Sequence, residues 1–204
     1  MVIAKFNKIG AFAFNSYLDC RDVIVQTIRR AGINVGYSQG FNPHELIYFS
    51  PPTSLGIESY CEYMYLVTDL DANFFKELFN NYSPYGLQIL KAKTIDKKPD
   101  FYNLIDLAKY KIILSNEVDL AKINFLYKDN EIEEDISLKI HEMVITNNEV
   151  ETIIACGQKE NLKPSKLLKC LQNSFNVKIE KIEKTALLKK EENLIFDIDK
   201  FLFD

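Results

Sequence analysis

The chain has 204 residues, of which 47% are hydrophobic and 26% are charged, a composition that is typical of a globular protein and excludes a disordered or fibrous chain. Its net charge of −4 and pI near 5.4 exclude strong nonspecific attraction to nucleic-acid phosphates. The sequence has no apolar run of the roughly 20 residues that cross a bilayer and no signal-peptide pattern, so we expect a cytoplasmic protein with no membrane association.

Residues 1–95 predict a first module in the order strand, helix, strand, strand, helix, strand. The initial run VIAKF alternates as a strand does. Ser16 and Asp19 resemble a capping box, and apolar residues at spacings of three or four then predict a helix that ends before Gly32. ELIYFS and EYMYLVT predict two strands, Asp71 caps a second helix, and GLQILKAKTI predicts the last strand. We expect both helices to bury their apolar stripes, which include Tyr17, Ile24 and Ile28 in the first and Phe74 to Phe79 in the second.

A charged segment with a proline, DKKPD at residues 96–100, is the linker candidate. The same order of elements recurs over residues 101–188, with a helix predicted at DLAKINFLY and a strand at DISLKIHEMVI. We therefore expect an α+β fold of two tandem ferredoxin-like βαββαβ modules with antiparallel sheets, spanning residues 1–95 and 101–188. The C-terminal tail, residues 189–204, is strongly apolar, and we expect it to dock on the second module or on a partner.

A long loop of unusual composition follows the first helix. From Ala31 to Ile57 the only residue with a formal charge is Glu45, accompanied by the titratable His44. Gly36 and Gly40 allow backbone angles that other residues avoid, and Asn42-Pro43 fixes a turn, so the loop can be rigid despite its length. Its amide, hydroxyl and ring groups suit a planar heterocycle or a peptide edge, on which Phe41 can stack. The alternative is a structural plug, in which these polar groups satisfy buried backbone atoms.

Few of the ionisable side chains around this loop are candidates for catalysis or metal binding. His44 is the candidate for a general acid or base, with Asp19, Glu58 or Glu62 to orient it, although a lone histidine is more often structural. Glu58 and Glu62 lie about 13 Å apart along an extended strand, so we expect no metal site there. The four cysteines match no zinc or iron–sulfur spacing. Five basic residues form either a local basic surface or an ordinary solvated face: Lys5, Lys8, Arg21, Arg29 and Arg30.

Several motifs taken together resemble those of a known family. They are SxLD at Ser16 to Asp19, YSQGFNPH at Tyr37 to His44, SPP followed by LGIES at Leu55 to Ser59, the pair Glu62-Tyr63, NLKPSKLLKCL at Asn161 to Leu171, and EKTALL at Glu183 to Leu188. In these motifs the chain resembles the radical SAM-linked protein family, a domain of unknown function. The resemblance implies a substrate-binding site made of Tyr17, Asp19, Tyr37, Ser38, Gln39, Gly40, Phe41, Asn42, Pro43, His44, Glu58 and Glu62.

The resemblance also implies a partner. Proteins of this kind are fused to, or encoded beside, radical SAM enzymes that have a cobalamin-binding region, and RNA or ribosome-related modification is the expected context. The chain has no C-x3-C-x2-C array for a cluster of its own. We therefore expect no cofactor on this chain, and an iron–sulfur cluster, S-adenosylmethionine and cobalamin on the partner.

The sequence departs from the family pattern at the same site. Tyr17 stands where the family has histidine, and Glu45 and Leu46 stand where it has proline and arginine. The losses of an imidazole and a guanidinium argue against catalysis or phosphate binding more than against recognition. The leading hypothesis is an accessory module whose loop recognises RNA or a ribosomal component for a separate radical SAM enzyme. The alternatives are an RNA-processing endoribonuclease with tandem ferredoxin folds, in which His44 is required for cleavage, and a pure assembly factor that uses the tail.

Overall fold

The computed structural model describes residues 1–129, 132–192 and 194–204. Over these residues the chain forms a mixed α+β structure with five α-helices and mostly antiparallel sheet. It divides into two compact units, of which the first contains Met1–Phe101 with Asp199–Asp204 and the second contains Tyr102–Ile198. In the described part of the chain, no helix is both long and apolar enough to cross a membrane.

The first unit contains a four-stranded antiparallel sheet and two long helices. Its elements in chain order are β1 (Val2–Lys8), α1 (Tyr17–Arg30), β2 (Ile47–Phe49), β3 (Glu58–Leu66), α2 (Ala72–Tyr82) and β4 (Ile89–Thr94). The strands lie in the order β4, β1, β3, β2. A short 3-10 helix at Gly10–Phe14 connects β1 to α1.

Local side-chain chemistry sets where these helices begin and end. The predicted capping box is confirmed: the Asp19 backbone N–H donates to Ser16 Oγ, and the Ser16 backbone N–H donates to the Asp19 carboxylate. Arg29 and Arg30 occupy the last turn of α1, where cations offset the helix dipole. Asp71 caps α2 by accepting from the backbone N–H groups of residues 73 and 74.

One continuous core lies between the sheet and the two helices. Alternate residues of β1 and β3 contribute to it, together with Ile24 and Ile28 of α1 and Phe75 and Phe79 of α2. The prediction for both helical stripes is wrong at one position each. Tyr17 is 44% exposed and Phe74 is 52% exposed, because each lies at the edge of its helix's buried face.

The second unit contains one sheet, a small ribbon and one long helix. After α3 (Phe101–Leu104), its elements are β5 (Leu107–Leu114), β6 (Leu126–Asp129), β7 (Ile132–Asp135), β8 (Ile140–Thr146), β9 (Glu149–Ala155), α4 (Pro164–Phe175), β10 (Ile179–Glu191) and β11 (Leu194–Asp197). The order in the sheet is β10, β5, β9, β8, with β11 paired to β10. Strands β6 and β7 form a separate antiparallel pair.

The helix predicted at DLAKINFLY does not form. The described backbone there has a 3-10 turn at Leu120–Lys122, followed by β6. Asp119 and Asn124 divert the chain, because their side chains accept from the N–H groups of Ala121 and Leu126. The strand predicted at DISLKIHEMVI begins later than expected, at Ile140, after a 3-10 turn at Ser137–Lys139.

The final residues return to the first unit as α5 (Asp199–Leu202). Leu202 is buried, and Asp199 accepts hydrogen bonds from Lys5, Lys91 and Tyr63. Earlier residues of the predicted tail belong to the second unit, where residues 189–191 complete β10 and residues 194–197 form β11.

Gly86 lies in the turn between α2 and β4, and a substitution there tests its contact with the segment that follows β1. Its φ is +86°, and a Cβ atom there would overlap the backbone carbonyl oxygen of Ile9. We expect Gly86→Ala to lower the free energy of unfolding by roughly 2 to 4 kcal/mol, because backbone strain and overlap add. Urea unfolding followed by circular dichroism measures this change.

Gly32→Ala is the matched control. Gly32 also has a positive φ, +64°, but its added Cβ atom meets nothing within 4 Å. We expect this variant to lose only about 1 kcal/mol, the strain of a left-handed backbone alone. Equal losses in the two variants would show that the Ile9 overlap has no part in the effect.

Candidate functional site

The loop predicted to carry the site is closed by contacts between its two arms. The residues Tyr37 and Glu45 form an isolated antiparallel bridge. The Ser38 backbone N–H donates to the His44 carbonyl oxygen at 2.9 Å, and the His44 backbone N–H donates to Ser38 Oγ at 3.1 Å. Ser38 Oγ also lies 2.9 Å from His44 Nδ1. The loop is therefore a defined hairpin-like projection, and the side chain of His44 is part of its closure.

The tip of this projection faces solvent. Gln39, Gly40, Phe41, Asn42 and Pro43 are all exposed. Phe41 is 106% exposed, so its ring packs against none of the residues that the structure describes. A structural plug would turn these groups inward, and the structure places them outward instead.

The base of the loop is tied to the C-terminal half of α1 by a charged contact. Arg29 donates to the carboxylate of Glu45, and the Tyr37 hydroxyl donates to the same carboxylate oxygen at 3.3 Å. Burial acts to raise the pKa of Glu45, but hydrogen bonds from Arg29, the backbone and Tyr37 outweigh it and leave that pKa below its ordinary value. Glu45 therefore stays ionised at neutral pH and keeps the loop attached to the helix.

An open cleft of about 300 Å³, here called the loop cleft, lies between α1 and the loop. It has a mixed polar and apolar lining made of Arg21, Asp22, Val25, Gln26, Arg29, His44, Glu45, Ile47 and Phe49. Of the predicted site residues, only His44 lines it. The helix α1 offers guanidinium and amide groups to the cleft, and the loop offers the imidazole of His44. This combination suits a polar ligand or the surface of a partner.

A second and much smaller cleft of about 20 Å³, here called the α1 cleft, lies beside the first turn of α1. Its lining combines four aromatic rings, two cations and several hydroxyl groups: Phe6, Lys8, Tyr17, Cys20, Arg21, Phe49, Ser50, Pro52, Thr53, Glu62 and Tyr63. It contains two of the predicted site residues, Tyr17 and Glu62. Arg21 and Phe49 line both clefts, so the two hollows are neighbours.

Strand alternation explains why charged groups reach the α1 cleft. The core-facing row of β1 runs Val2, Ala4, Phe6 and then Lys8, and that of β3 runs Leu66, Met64 and then Glu62. Both apolar rows therefore end in a charged residue, beside the start of α1. Lys8 is 4% exposed and Glu62 is 5% exposed.

The surroundings of Glu62 and Cys20 fix the chemistry of this cleft. The Glu62 carboxylate accepts hydrogen bonds from the hydroxyls of Thr53 and Ser59. Burial raises the pKa of the Cys20 thiol to about 11, with Lys8 opposing and Glu62 reinforcing that shift. Cys20 is therefore a neutral thiol at pH 7 and behaves there as an apolar wall. Tyr17 packs edge-on against Phe49 with ring centroids 6.1 Å apart, which leaves its ring at the rim.

Two of the predicted site residues use their carboxylates for hydrogen bonds that hold the local structure. The Asp19 carboxylate belongs to the capping box of α1. Glu58 accepts from the backbone N–H of Gly10 at 2.8 Å and so holds the 3-10 helix against β3. Neither carboxylate lines either cleft.

Sequence reasoning missed several residues of the α1 cleft. Cys20, Phe49, Ser50 and Thr53 were not among the predicted site residues, although SPP follows directly after Phe49 and marks the turn that brings Thr53 over Glu62. Lys5 and Lys8 were interpreted as part of a basic surface or a solvated face. Both are buried, because β1 is central in its sheet.

Nothing in the described residues suggests a metal site. Within them, no group of three or more His, Cys, Asp and Glu side chains is placed to hold an ion. Glu58 accepts from the Gly10 backbone N–H, whereas Glu62 accepts from the Ser59 hydroxyl.

Comparison with known proteins identifies a family for the chain. Residues 2–164 match the model of a family described as an uncharacterized protein conserved in bacteria (DUF2344). No curated protein matches the chain.

The burial of Glu62 leads to a stability prediction. Glu62→Ala leaves the hydroxyls of Thr53 and Ser59 without their acceptor inside the fold, and we expect the free energy of unfolding to fall by roughly 2 to 4 kcal/mol. Chemical unfolding monitored by circular dichroism measures this loss. Glu77→Ala, at an exposed position on α2, is the control and should change stability by less than about 0.5 kcal/mol. A loss at Glu62 no larger than at Glu77 would contradict the described hydrogen bonds.

Proposed function

The chain belongs to this family of uncharacterized proteins conserved in bacteria, and we propose that it is an accessory substrate-recognition module for a separate enzyme. The observation that carries the proposal is the α1 cleft beside a closed loop whose tip is wholly exposed. The cleft binds a small group of the substrate, and the loop contacts the enzyme or a larger part of the substrate. The chain then contributes binding and orientation, while the partner supplies the reaction.

The mouth of the cleft suits one planar ring with a polar edge. The hollow itself, at about 20 Å³, is far smaller than ligand pockets of roughly 300 Å³ or more, so a bound ring stacks across its mouth and does not enter it. Tyr17 and Phe49 offer ring surfaces, and Ser50, Thr53 and Glu62 offer hydroxyl and carboxylate groups. Arg21 stands at the rim, between the two clefts, where it can meet a negative group attached to the ring. A nucleobase fits these requirements, and RNA or a ribosomal component is therefore the proposed substrate.

The loop suits a protein or RNA surface rather than a buried ligand. Its arms are fixed by the bridge between Tyr37 and Glu45, so little conformational entropy is lost when the tip is bound. Phe41 presents a whole ring to solvent, and exposed aromatic anchors of this kind dominate binding energies at interfaces. The amides of Gln39 and Asn42 flank it and provide directional hydrogen bonds.

The proposed partner is a radical SAM enzyme that carries an iron–sulfur cluster, S-adenosylmethionine and cobalamin. The motif YSQGFNPH, whose residues form the loop, supports this choice through its resemblance to the radical SAM-linked family. The proposed setting is the cytoplasm. The assignment of catalysis to the partner agrees with the role of His44, whose ring closes the loop through Ser38.

The proposed architecture is a tandem pair of ferredoxin-like modules. It is supported by the matching strand orders, β4, β1, β3, β2 in the first unit and β10, β5, β9, β8 in the second. The second unit departs from the pattern, since the ribbon of β6 and β7 stands in the chain where the first helix of such a module would be.

Affinity purification from the native cell tests the role of the loop. We expect the tagged full-length chain to recover a radical SAM enzyme, identified and quantified by mass spectrometry. Phe41→Ala combined with Asn42→Ala should reduce that recovery by about tenfold, because an interface anchor is lost. Thermal unfolding of the variant should match that of the wild type, since both side chains are exposed.

Leu138→Ala is the matched control for this experiment, because Leu138 is an 86% exposed apolar residue in the second unit. Its recovery of the enzyme should equal that of the wild type. Equal recovery by the loop variant would remove the loop from the proposed interface. Recovery of RNA without a radical SAM enzyme, seen as a raised ratio of absorbance at 260 and 280 nm, would favour the endoribonuclease alternative.

Nuclear magnetic resonance titration with adenine tests the α1 cleft. We expect shifts confined to residues that line the cleft, and about tenfold weaker binding by Tyr17→Ala, since one ring surface is lost. Tyr82→Ala, which removes a half-exposed ring from α2, should bind adenine as the wild type does. Shifts spread over both units, or equal binding by both variants, would contradict the proposal.

A further inference from the structure

A row of three side chains crosses the sheet of the first unit on the face opposite the helices. The strand register places Lys5 of β1 directly opposite Tyr63 of β3 on one side and Lys91 of β4 on the other. Lys5 alternates with Ala4 and Phe6, which face the core. Two ammonium groups are therefore direct cross-strand neighbours, beside a phenol.

Like charges in this arrangement repel each other unless an anion lies between them. The anion here is Asp199, at the start of α5. Its Oδ2 accepts from Lys5 Nζ and Lys91 Nζ at 2.9 Å each, and its Oδ1 accepts from the Tyr63 hydroxyl at 2.7 Å. The Asp199 side chain is 16% exposed, so the contact is largely shielded from solvent.

The segment that carries this carboxylate also places an aromatic ring against the sheet. The ring centroid of Phe203 lies 6.4 Å from that of Tyr63, and Lys91 Nζ lies 5.7 Å from the Phe203 ring centroid. Lys5 Nζ is 5.5 Å from the ring centroid of Tyr63. The C-terminal segment thus places an acid and a ring, four residues apart, on a surface that consists of two lysines and a tyrosine.

We propose that the row Lys5, Tyr63 and Lys91 is a nucleotide-binding site, and that residues 199–204 occupy it as an intramolecular competitor. A phosphate replaces the Asp199 carboxylate between the ammonium groups, and a base replaces the Phe203 ring beside Tyr63. Phosphate oxygens accept the same three hydrogen bonds; an internal phosphodiester carries the same charge as a carboxylate, and a terminal phosphate carries more. Base stacking on aromatic residues of a sheet is a recurring mode of single-stranded RNA recognition.

Displacement requires that the anchors of the segment give way. Three of these anchors are the Asp199 carboxylate, the Phe203 ring and the buried Leu202. Of the two ion pairs, the one to Lys91 involves a lysine side chain that is 54% exposed. Ion pairs with such exposure are weak. An RNA strand with several phosphates displaces the segment when the effective concentration of the segment at the site is low enough.

This site is separate from the proposed recognition site. Lys5 and Lys91 line neither the α1 cleft nor the loop cleft, and Tyr63 is the member of the row that also lines the α1 cleft. The nucleotide site can therefore exist whether or not the α1 cleft binds a nucleobase, and variants of Lys5, Lys91 and Asp199 report on it alone.

Fluorescence anisotropy with the full chain tests the proposal. The probes are a fluorescein-labelled single-stranded uridine decanucleotide and, in competition, adenosine monophosphate. We expect Asp199→Asn to bind the decanucleotide about tenfold more tightly than the wild type, because the competing carboxylate is neutralised. Phe203→Ala removes the competing ring but keeps Asp199, and it should also strengthen binding. Adenosine monophosphate competing as well as the RNA would identify a free nucleotide, and far weaker competition would identify an RNA strand.

Three further variants complete the test. Asp204→Asn makes the same change in net charge on an exposed residue of the same segment, and it should bind as the wild type does. Lys5→Met added to Asp199→Asn should abolish the gain, and Tyr82→Ala, at a half-exposed position on α2, added to it should preserve the gain. The proposal is overturned when Asp199→Asn and Phe203→Ala, both folded by circular dichroism, bind RNA no better than Asp204→Asn, or when the Lys5→Met variant keeps the gain.

Discussion

The complete burial of β1 is the constraint on which the first unit depends. Every residue from Val2 to Lys8 is buried, although the two long helices cover only one face of the sheet. A central strand of an antiparallel sheet ordinarily leaves its second face to water. Here that face carries Lys5 and Asn7, and each buried polar group needs a partner. Asn7 exchanges hydrogen bonds with Gln88, and Lys5 donates to Asp199, which lies 194 residues away in sequence.

The same strand also determines the α1 cleft on the helix face. Its core-facing row is apolar as far as Phe6 and then ends in Lys8, and the neighbouring row of β3 ends in Glu62. A cleft therefore opens where the apolar core stops and α1 begins. Since Thr53 and Ser59 hold the Glu62 carboxylate, the charge is fixed in place before any ligand arrives. Preorganised polar groups of this kind add specificity, because little rearrangement accompanies binding.

Much of the first unit was predictable from the sequence, because its signals are local. The capping box at Ser16, the cap at Asp71 and the order of strands and helices all depend on residues close together in the chain. The helix predicted after Asp119 failed for a local reason that apolar spacing does not reveal, since two Asx side chains compete for backbone N–H groups. Residues of the α1 cleft escaped prediction for another reason: Cys20 and Phe49 look like ordinary core residues until the register of β3 brings Glu62 beside them. The contact of Asp199 with Lys5 joins the two ends of the chain and has no sequence signal at all.

The net charge of the chain limits how the first unit can bind RNA. A chain with a net charge of −4 has no general attraction for RNA, so any binding must come from a few placed cations. Lys5 and Lys91 are such cations, and they lie beside a phenol rather than on an open basic patch. Left bare, two lysines in direct register would repel each other and take up any anion available. Asp199 resolves this conflict within the chain. Burial acts to raise the pKa of its carboxyl, but the hydrogen bonds from Lys5, Lys91 and Tyr63 hold that pKa below its ordinary value. The carboxylate thus stays charged at neutral pH, and its contribution to stability is lost only when acid protonates it, as the pH falls through that lowered pKa. At neutral pH the contact is therefore opened by a competing anion, not by titration, which suits a surface that selects a phosphate-bearing ligand by shape as well as charge.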